Sequence, residues 1–190
     1  MPKFIEVTRA ETTIDVNDPR FKEKLASALL SICESLGSPP IIPTVICVGT
    51  DRSTGDSLGP FVGMFLKEAE FPGLVLGTLE NPIHAENLEV AATISESLES
   101  LVIGIDACLG ARQEVGKVLV RSGSLHPGLG VKKNLPPIGD LFIAGVVNVG
   151  EFMEYMVLQN TRLSLVYSMA RKIADGLILF GEKFKSQNKD

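Results

Sequence analysis

The sequence predicts an α/β fold, a three-layer α/β/α sandwich built on a mostly parallel or mixed sheet of five strands. Three observations carry this expectation. Five short apolar runs, at 44–48, 74–79, 101–105, 115–121 and 141–147, have the length and the bounding turn residues of buried strands. Segments with apolar residues at helical spacing lie between or beyond them. The first run also leads directly through an acid-rich turn into a helix, where open α/β sheets carry their ligand-binding groups.

The first 17 residues are mixed in character and read as an arm or a short edge strand. Asp18 and Pro19 then form a start signal, a capping residue followed by proline at the first helical position. Phe21, Leu25, Ala28, Leu29 and Ile32 continue at helical spacing until Gly37, Ser38, Pro39 and Pro40 stop the helix. After the strand at 44–48, Leu58, Phe61, Val62, Phe65 and Leu66 define one face of a helix ending near Glu70. The strand at 74–79 runs into a loop whose last residue, Asn87, is suited to cap a helix reaching Leu98. The third strand, 101–105, ends on Asp106. Residues 122–140 hold Gly123, Gly128, Gly130, Gly139, Pro127, Pro136 and Pro137. A loop of that length inside a small domain marks function or mobility. Helices over 151–158 and from Thr161 onward close the chain, the second lined by Leu163, Val166, Tyr167, Ala170, Ile173, Ala174 and Leu177. No repeat or linker divides the 190 residues, so one domain spanning 1–190 is expected.

Composition narrows the function classes. A hydrophobic share of 45% with 22% charged residues is that of an ordinary globular chain. The net charge of −5 argues against a nucleic-acid partner, because phosphate binding needs a basic face. No apolar run approaches the ~18 residues of a membrane span. The N-terminus lacks a basic start followed by an apolar core, so no secretory leader is expected. Cys33, Cys47 and Cys108 are widely spaced and odd in number, which fits a reducing cytoplasm.

The candidate chemistry lies in the turn 49–60, which reads GTDRSTGDSLGP. Its glycines match neither the phosphate-cradling pattern that ends in Gly-Lys-Ser/Thr nor the dinucleotide fingerprint. If the strands at 44–48 and 101–105 are neighbours, Asp56 and Asp106 converge at one edge of the sheet. Two adjacent carboxyls titrate as a pair, one keeping its proton, and so supply a general base and a general acid together. Each acid also has an ordinary explanation. Asp56 directly precedes a helix and is suited to cap it, and Asp106 is suited to accept nearby backbone N–H groups. Asp51 and Arg52 pair with each other or contact substrate, and Ser53 and Thr54 are hydroxyls suited to orient substrate or water. Cys108 reads as a small core residue rather than a nucleophile. His84 reads as a surface residue. His126, in the glycine- and proline-rich loop, is a candidate substrate contact. With Asp56 and Asp106 it would make a two-carboxylate, one-imidazole set for a divalent metal, although no cofactor is the leading expectation. Lys132 and Lys133 read as a solvated basic patch or as anchors for an acidic substrate.

Four blocks in order, 49–60, 80–85 (ENPIHA), 105–110 (IDACLG) and 149–153 (VGEFM), resemble the YyaC-like sporulation protein family. That family is similar in turn to the spore germination protease, which degrades small acid-soluble spore proteins, and more distantly to the hydrogenase maturation endopeptidases. The resemblance implies a phosphorylase/hydrolase-like fold. It implies peptide hydrolysis with Asp56 and Asp106 as the acting aspartates, and a glycine-rich loop at 127–131. It further implies a peptide or small spore-protein substrate, a homo-oligomer, and a place in the cytoplasm of a sporulating cell or forespore. This chain is about half the protease's size and has Gly55 where the protease has proline. Those departures motivate an alternative, a non-catalytic peptide- or partner-binding protein using the same cleft.

Overall fold

The computed structural model describes residues 11–127, 136–150 and 153–187. It is an α/β structure whose sheet has six strands in the order β1-β5-β6-β4-β2-β3, not five. The strands are β1 (Glu11–Asp15), β2 (Thr44–Cys47), β3 (Val75–Leu76), β4 (Val102–Gly110), β5 (Lys117–Ser122) and β6 (Leu141–Val149). The extra strand is β1, which pairs antiparallel with β5 from Glu11↔Arg121 to Asp15↔Lys117. Of the two readings of the N-terminal segment, an edge strand therefore holds for 11–15; residues 1–10 lie outside the described residues. β2, β3, β4 and β6 run parallel, while β5 runs antiparallel to β6. The sheet is mixed.

Among the described residues five α-helices accompany it: α1 (Phe21–Ser35), α2 (Leu58–Glu68), α3 (Leu88–Glu96), α4 (Glu154–Gln159) and α5 (Leu163–Gln187). α1 buries Phe21, Leu25, Leu29 and Ile32, a four-residue rhythm that turns one stripe toward the sheet. Its expected cap works one turn early. Asp18 accepts the Arg20 N–H at 2.8 Å and pairs with Lys24, so it shapes the turn before the helix rather than the helix itself.

Two apolar layers sandwich the sheet. On one face Val45, Cys47, Ile103, Ile105, Ile143 and Val147 meet residues of α1, α2 and α5, including Leu25, Phe65, Ile173 and Leu177. On the other face Ile46, Val48 and Val102 meet Leu88, Ala91 and Ala92 of α3, together with Leu125 and Ile138. The second layer is the smaller.

Three departures from the sequence reading have physical causes. The strand expected at 74–79 shrinks to Val75–Leu76 because Gly77 adopts φ +86°. A Cβ there would lie 2.0 Å from the Cys47 carbonyl oxygen, so only glycine lets the chain turn this close to β2. β4 continues four residues beyond Asp106, because hydrogen bonding to β6 persists to Gly110↔Val149 across an irregularity at Cys108/Leu109. Ladder bonds use the backbone, so a carboxyl in the run does not stop them. The loop 122–140 begins and ends as an antiparallel stem: Leu125 and Ile138 exchange both backbone hydrogen bonds, at 2.8 and 2.9 Å. The glycine-rich echo at 128–131 and the pair Lys132 and Lys133 lie outside the described residues, as do Glu151 and Phe152.

Candidate functional site

Strand order positions the two acids. From β2 the chain passes through α2 to β3 on one side, then returns through α3 to β4 on the other. β2 and β4 thus flank the point where the order reverses, the place where open α/β sheets commonly bind ligands. Asp56 hangs on the turn after β2, and Asp106 sits on β4 beside the end of β2, where Cys47 pairs with Ile105.

The turn is held by its own backbone. Thr50 N donates to the Asp56 carbonyl at 3.2 Å, Ser57 N to Ser53 O at 3.0 Å, and the Ser57 hydroxyl to Thr54 O at 2.6 Å. Gly49 takes φ +145°, and a Cβ there would fall 1.9 Å from the Asp56 carbonyl oxygen. At the far side Gly55 N donates to Leu158 O of α4 at 2.9 Å. No side-chain cap bond starts α2, whose cap residue is Ser57. Among the described residues no backbone N–H donates to the Asp56 carboxyl. Capping is therefore not what Asp56 does here.

Asp106 lies inside β4, not at its end, opposite Ala144 of β6. Its neighbours Ile105 and Ala107 pack into the larger core layer, so the alternation of the strand turns the Asp106 carboxyl to the opposite face. The buried first half of β4 gives way to part-exposed residues from Asp106 onward. One oxygen, Oδ1, accepts the Ala107 N–H at 2.8 Å. Desolvation pushes the Asp106 carboxyl up to about 8, the Ala107 bond opposes this, and the charge of Asp56 raises it further. Asp56 is also pushed up by burial, while the Ser53 hydroxyl pulls it back. Ser53 Oγ is buried and makes no hydrogen bond of good geometry, yet it lies near enough to Asp56 to exert that pull. The two carboxyls are thus electrically coupled and unequal, which is the arrangement an acid–base pair requires.

The other candidates scatter. Asp51 and Arg52 are exposed and, among the described residues, form no ion pair with each other; the Arg52 N–H donates to Thr50 Oγ1 at 3.3 Å. Thr54 is part-buried in the turn. His126 is exposed on the stem of the 122–140 loop. Among the described residues no three of His, Cys, Asp and Glu group so as to hold a metal ion, so His126 does not complete a set with Asp56 and Asp106. A divalent metal on those three side chains does not fit this geometry. The Cys108 thiol is part-buried and pushed up to about 12, chiefly by desolvation and then by Asp106, which leaves it no thiolate character at neutral pH. His84 Nδ1 accepts the Glu86 N–H at 3.3 Å in a surface turn.

Two open clefts lie apart from the carboxyls. One, of about 450 Å³, follows β3 and includes Lys67, Thr78 and His84. The other, of about 610 Å³, sits between the carboxyl end of β6 and α4, lined by Arg112, Asn148, Val149, Met153, Met156, Val157 and Asn160. Val149 and Met153 fall in the 149–153 block, but Arg112, Asn148, Met156, Val157 and Asn160 did not stand out in the sequence, because the lining comes from separate segments with no shared local pattern. Among the described residues no helix is long and apolar enough to cross a membrane.

A family model described as "Protein of unknown function (DUF1256)" matches residues 13–176. The chain is also similar to the "Uncharacterized protein YyaC" of Bacillus subtilis (strain 168). The two are 45% identical over 179 residues, which cover 93% of this chain and 86% of that protein.

Proposed function

The chain belongs to the DUF1256 family, and from that premise we propose that it hydrolyses peptide bonds with Asp56 and Asp106 as a carboxyl pair. The observation that supports this reading is that Asp56 and Asp106 border the strand-order reversal, where burial chiefly holds the proton on Asp106 and the charge of Asp56 adds to that hold. Asp106, pushed up to about 8, is assigned as the member that keeps its proton, and Asp56 as the base. Asp56 takes a proton from a water whose oxygen attacks the amide carbonyl carbon. Asp106 gives its proton to the departing nitrogen as the C–N bond breaks, and the proton on Asp56 then passes to Asp106 to restore the pair. Ser53 and Thr54 line the turn beside the water, and Asp51, Arg52 and His126 supply substrate contacts. On the resemblance to YyaC-like sporulation proteins, the substrate is a peptide or small spore protein in the cytoplasm of a sporulating cell or forespore.

The test incubates purified protein with small acid-soluble spore proteins and follows defined fragments by mass spectrometry. Asp56→Asn and Asp106→Asn are each expected to slow cleavage by at least ~100-fold. Undiminished cleavage by both variants overturns the mechanism. A second reading, a non-catalytic peptide-binding protein, is favoured by the methionine-lined cleft that stands apart from the carboxyls. Binding without fragments selects it.

A further inference from the structure

The cleft beside α4 has the marks of a built subsite. Its volume of about 610 Å³ is in the range of small-ligand and side-chain pockets. Asn148 fixes its floor: Nδ2 donates to Val157 O at 3.3 Å and to Thr161 Oγ1 at 3.2 Å, and Oδ1 accepts the Val149 N–H at 2.9 Å. That one side chain ties the end of β6 to α4 and to the start of α5. The apolar lining is exposed, with Met153 at 58% and Met156 at 50% of full exposure. Met153 adopts φ +51°, a left-handed conformation that side chains other than glycine rarely take, and it does so at the cleft. Backbone strain of this kind clusters where ligands are gripped. Arg112, at the rim, is exposed and has no ion-pair partner among the described residues.

The cleft is also in register with the carboxyl pair. Asn148 and Val149 lie opposite Leu109 and Gly110, three and four residues along β4 from Asp106. At about 3.3 Å per residue the cleft lies about 10–13 Å from Asp106 along the strand. An extended polypeptide crosses that span in three or four residues.

We propose that this cleft binds an extended polypeptide substrate, taking one of its apolar side chains while Arg112 pairs with a neighbouring Asp or Glu. Resting on the hydrolytic reading above, the register puts the gripped residue three or four positions from the bond cleaved. Methionines make the pocket adaptable, so Leu, Ile, Phe and Met all fit it. The cation at the rim selects against basic neighbours.

A display library of random dodecapeptides tests this, selected on immobilised Asp106→Asn protein and on the same protein carrying Met156→Asp or Arg112→Glu. Both added changes are at exposed positions, and circular dichroism checks that each variant folds. The peptides selected on Asp106→Asn protein are expected to be enriched about threefold or more in an apolar residue beside an acid. Met156→Asp abolishes the apolar enrichment, and Arg112→Glu exchanges acidic for basic neighbours. Identical selections on all three proteins, or no enrichment on any, overturn the proposal. Wild-type protein is then given the selected peptides. Cleavage three or four residues from the apolar position supports the register, and cleavage elsewhere overturns it. Peptides that bind through the cleft but stay intact leave the subsite standing and refute hydrolysis.

Discussion

The two faces of the sheet differ in what they carry. Beneath α1, α2 and α5 lies a continuous apolar layer in which Phe65, Phe180, Leu25 and Leu29 are fully buried. Against the other face, among the described residues, lie α3, Ile83 and the Leu125–Ile138 stem, and there β4 presents Asp106. One strand serves both, since successive side chains of β4 point to opposite faces: Ile103, Ile105, Ala107 and Leu109 to the thick layer, Asp106 away from it. On the hydrolytic reading, stability and chemistry are thereby separated by a single peptide unit. A carboxyl one place earlier or later would be driven into the core; one here meets a part-exposed surface.

That contrast is open to measurement. On the thick face, Phe180→Ala removes a fully buried ring and is expected to lower unfolding stability by about 4 kcal/mol in urea denaturation. Cleavage per folded molecule should stay unchanged; a parallel loss of both would erase the division. On the thin face, Leu125→Ala is expected to cost about 2–3 kcal/mol in the same assay. A loss as large as that of Phe180→Ala would show the two layers to be equally important.

An oppositely signed effect belongs to Asp106. Its folded value, about 8, is above that of the unfolded chain, so the folded protein keeps a proton that the unfolded chain releases. Stability therefore falls as pH rises between about 4 and about 8, then levels off. The raised Asp56 acts in the same direction. Asp106→Asn removes the Asp106 component, and its advantage over wild type should grow steadily from nothing near pH 4 up to about pH 8, read from paired melts. A gain that shrinks with pH would contradict the burial of that carboxyl. Smallest of all, Glu11→Gln breaks an exposed pair with Arg121 and is expected to change stability by less than about 0.5 kcal/mol.

Legibility in the sequence followed the same division. The thick face was readable because its strands are unbroken apolar runs and its helices repeat at 3–4 residues, as in Leu25, Leu29 and Ile32. β1 stayed ambiguous because an edge strand such as ETTID buries only Ile14 and has no sustained pattern. The continuation of β4 past Asp106 was hidden because it depends on backbone pairing with β6, and small or polar side chains there signal a turn. Asp56 and Asp106 were nameable because strand ends and strand-to-helix turns are where acids need a reason. The cleft was not, since Arg112, Asn148 and Met156 become neighbours only after three elements dock. The left-handed backbone of Met153 likewise has no trace in residue type.

The sheet's two margins bear on how the chain behaves in a crowded solution. One margin ends in β3, only two residues long, and the other in β1, which carries Glu11 and Asp15. A strand arriving from another molecule finds almost no ladder to extend at the first and repelling like charges at the second when it too is acidic. Edge-to-edge pairing is thus discouraged at both margins of the described sheet.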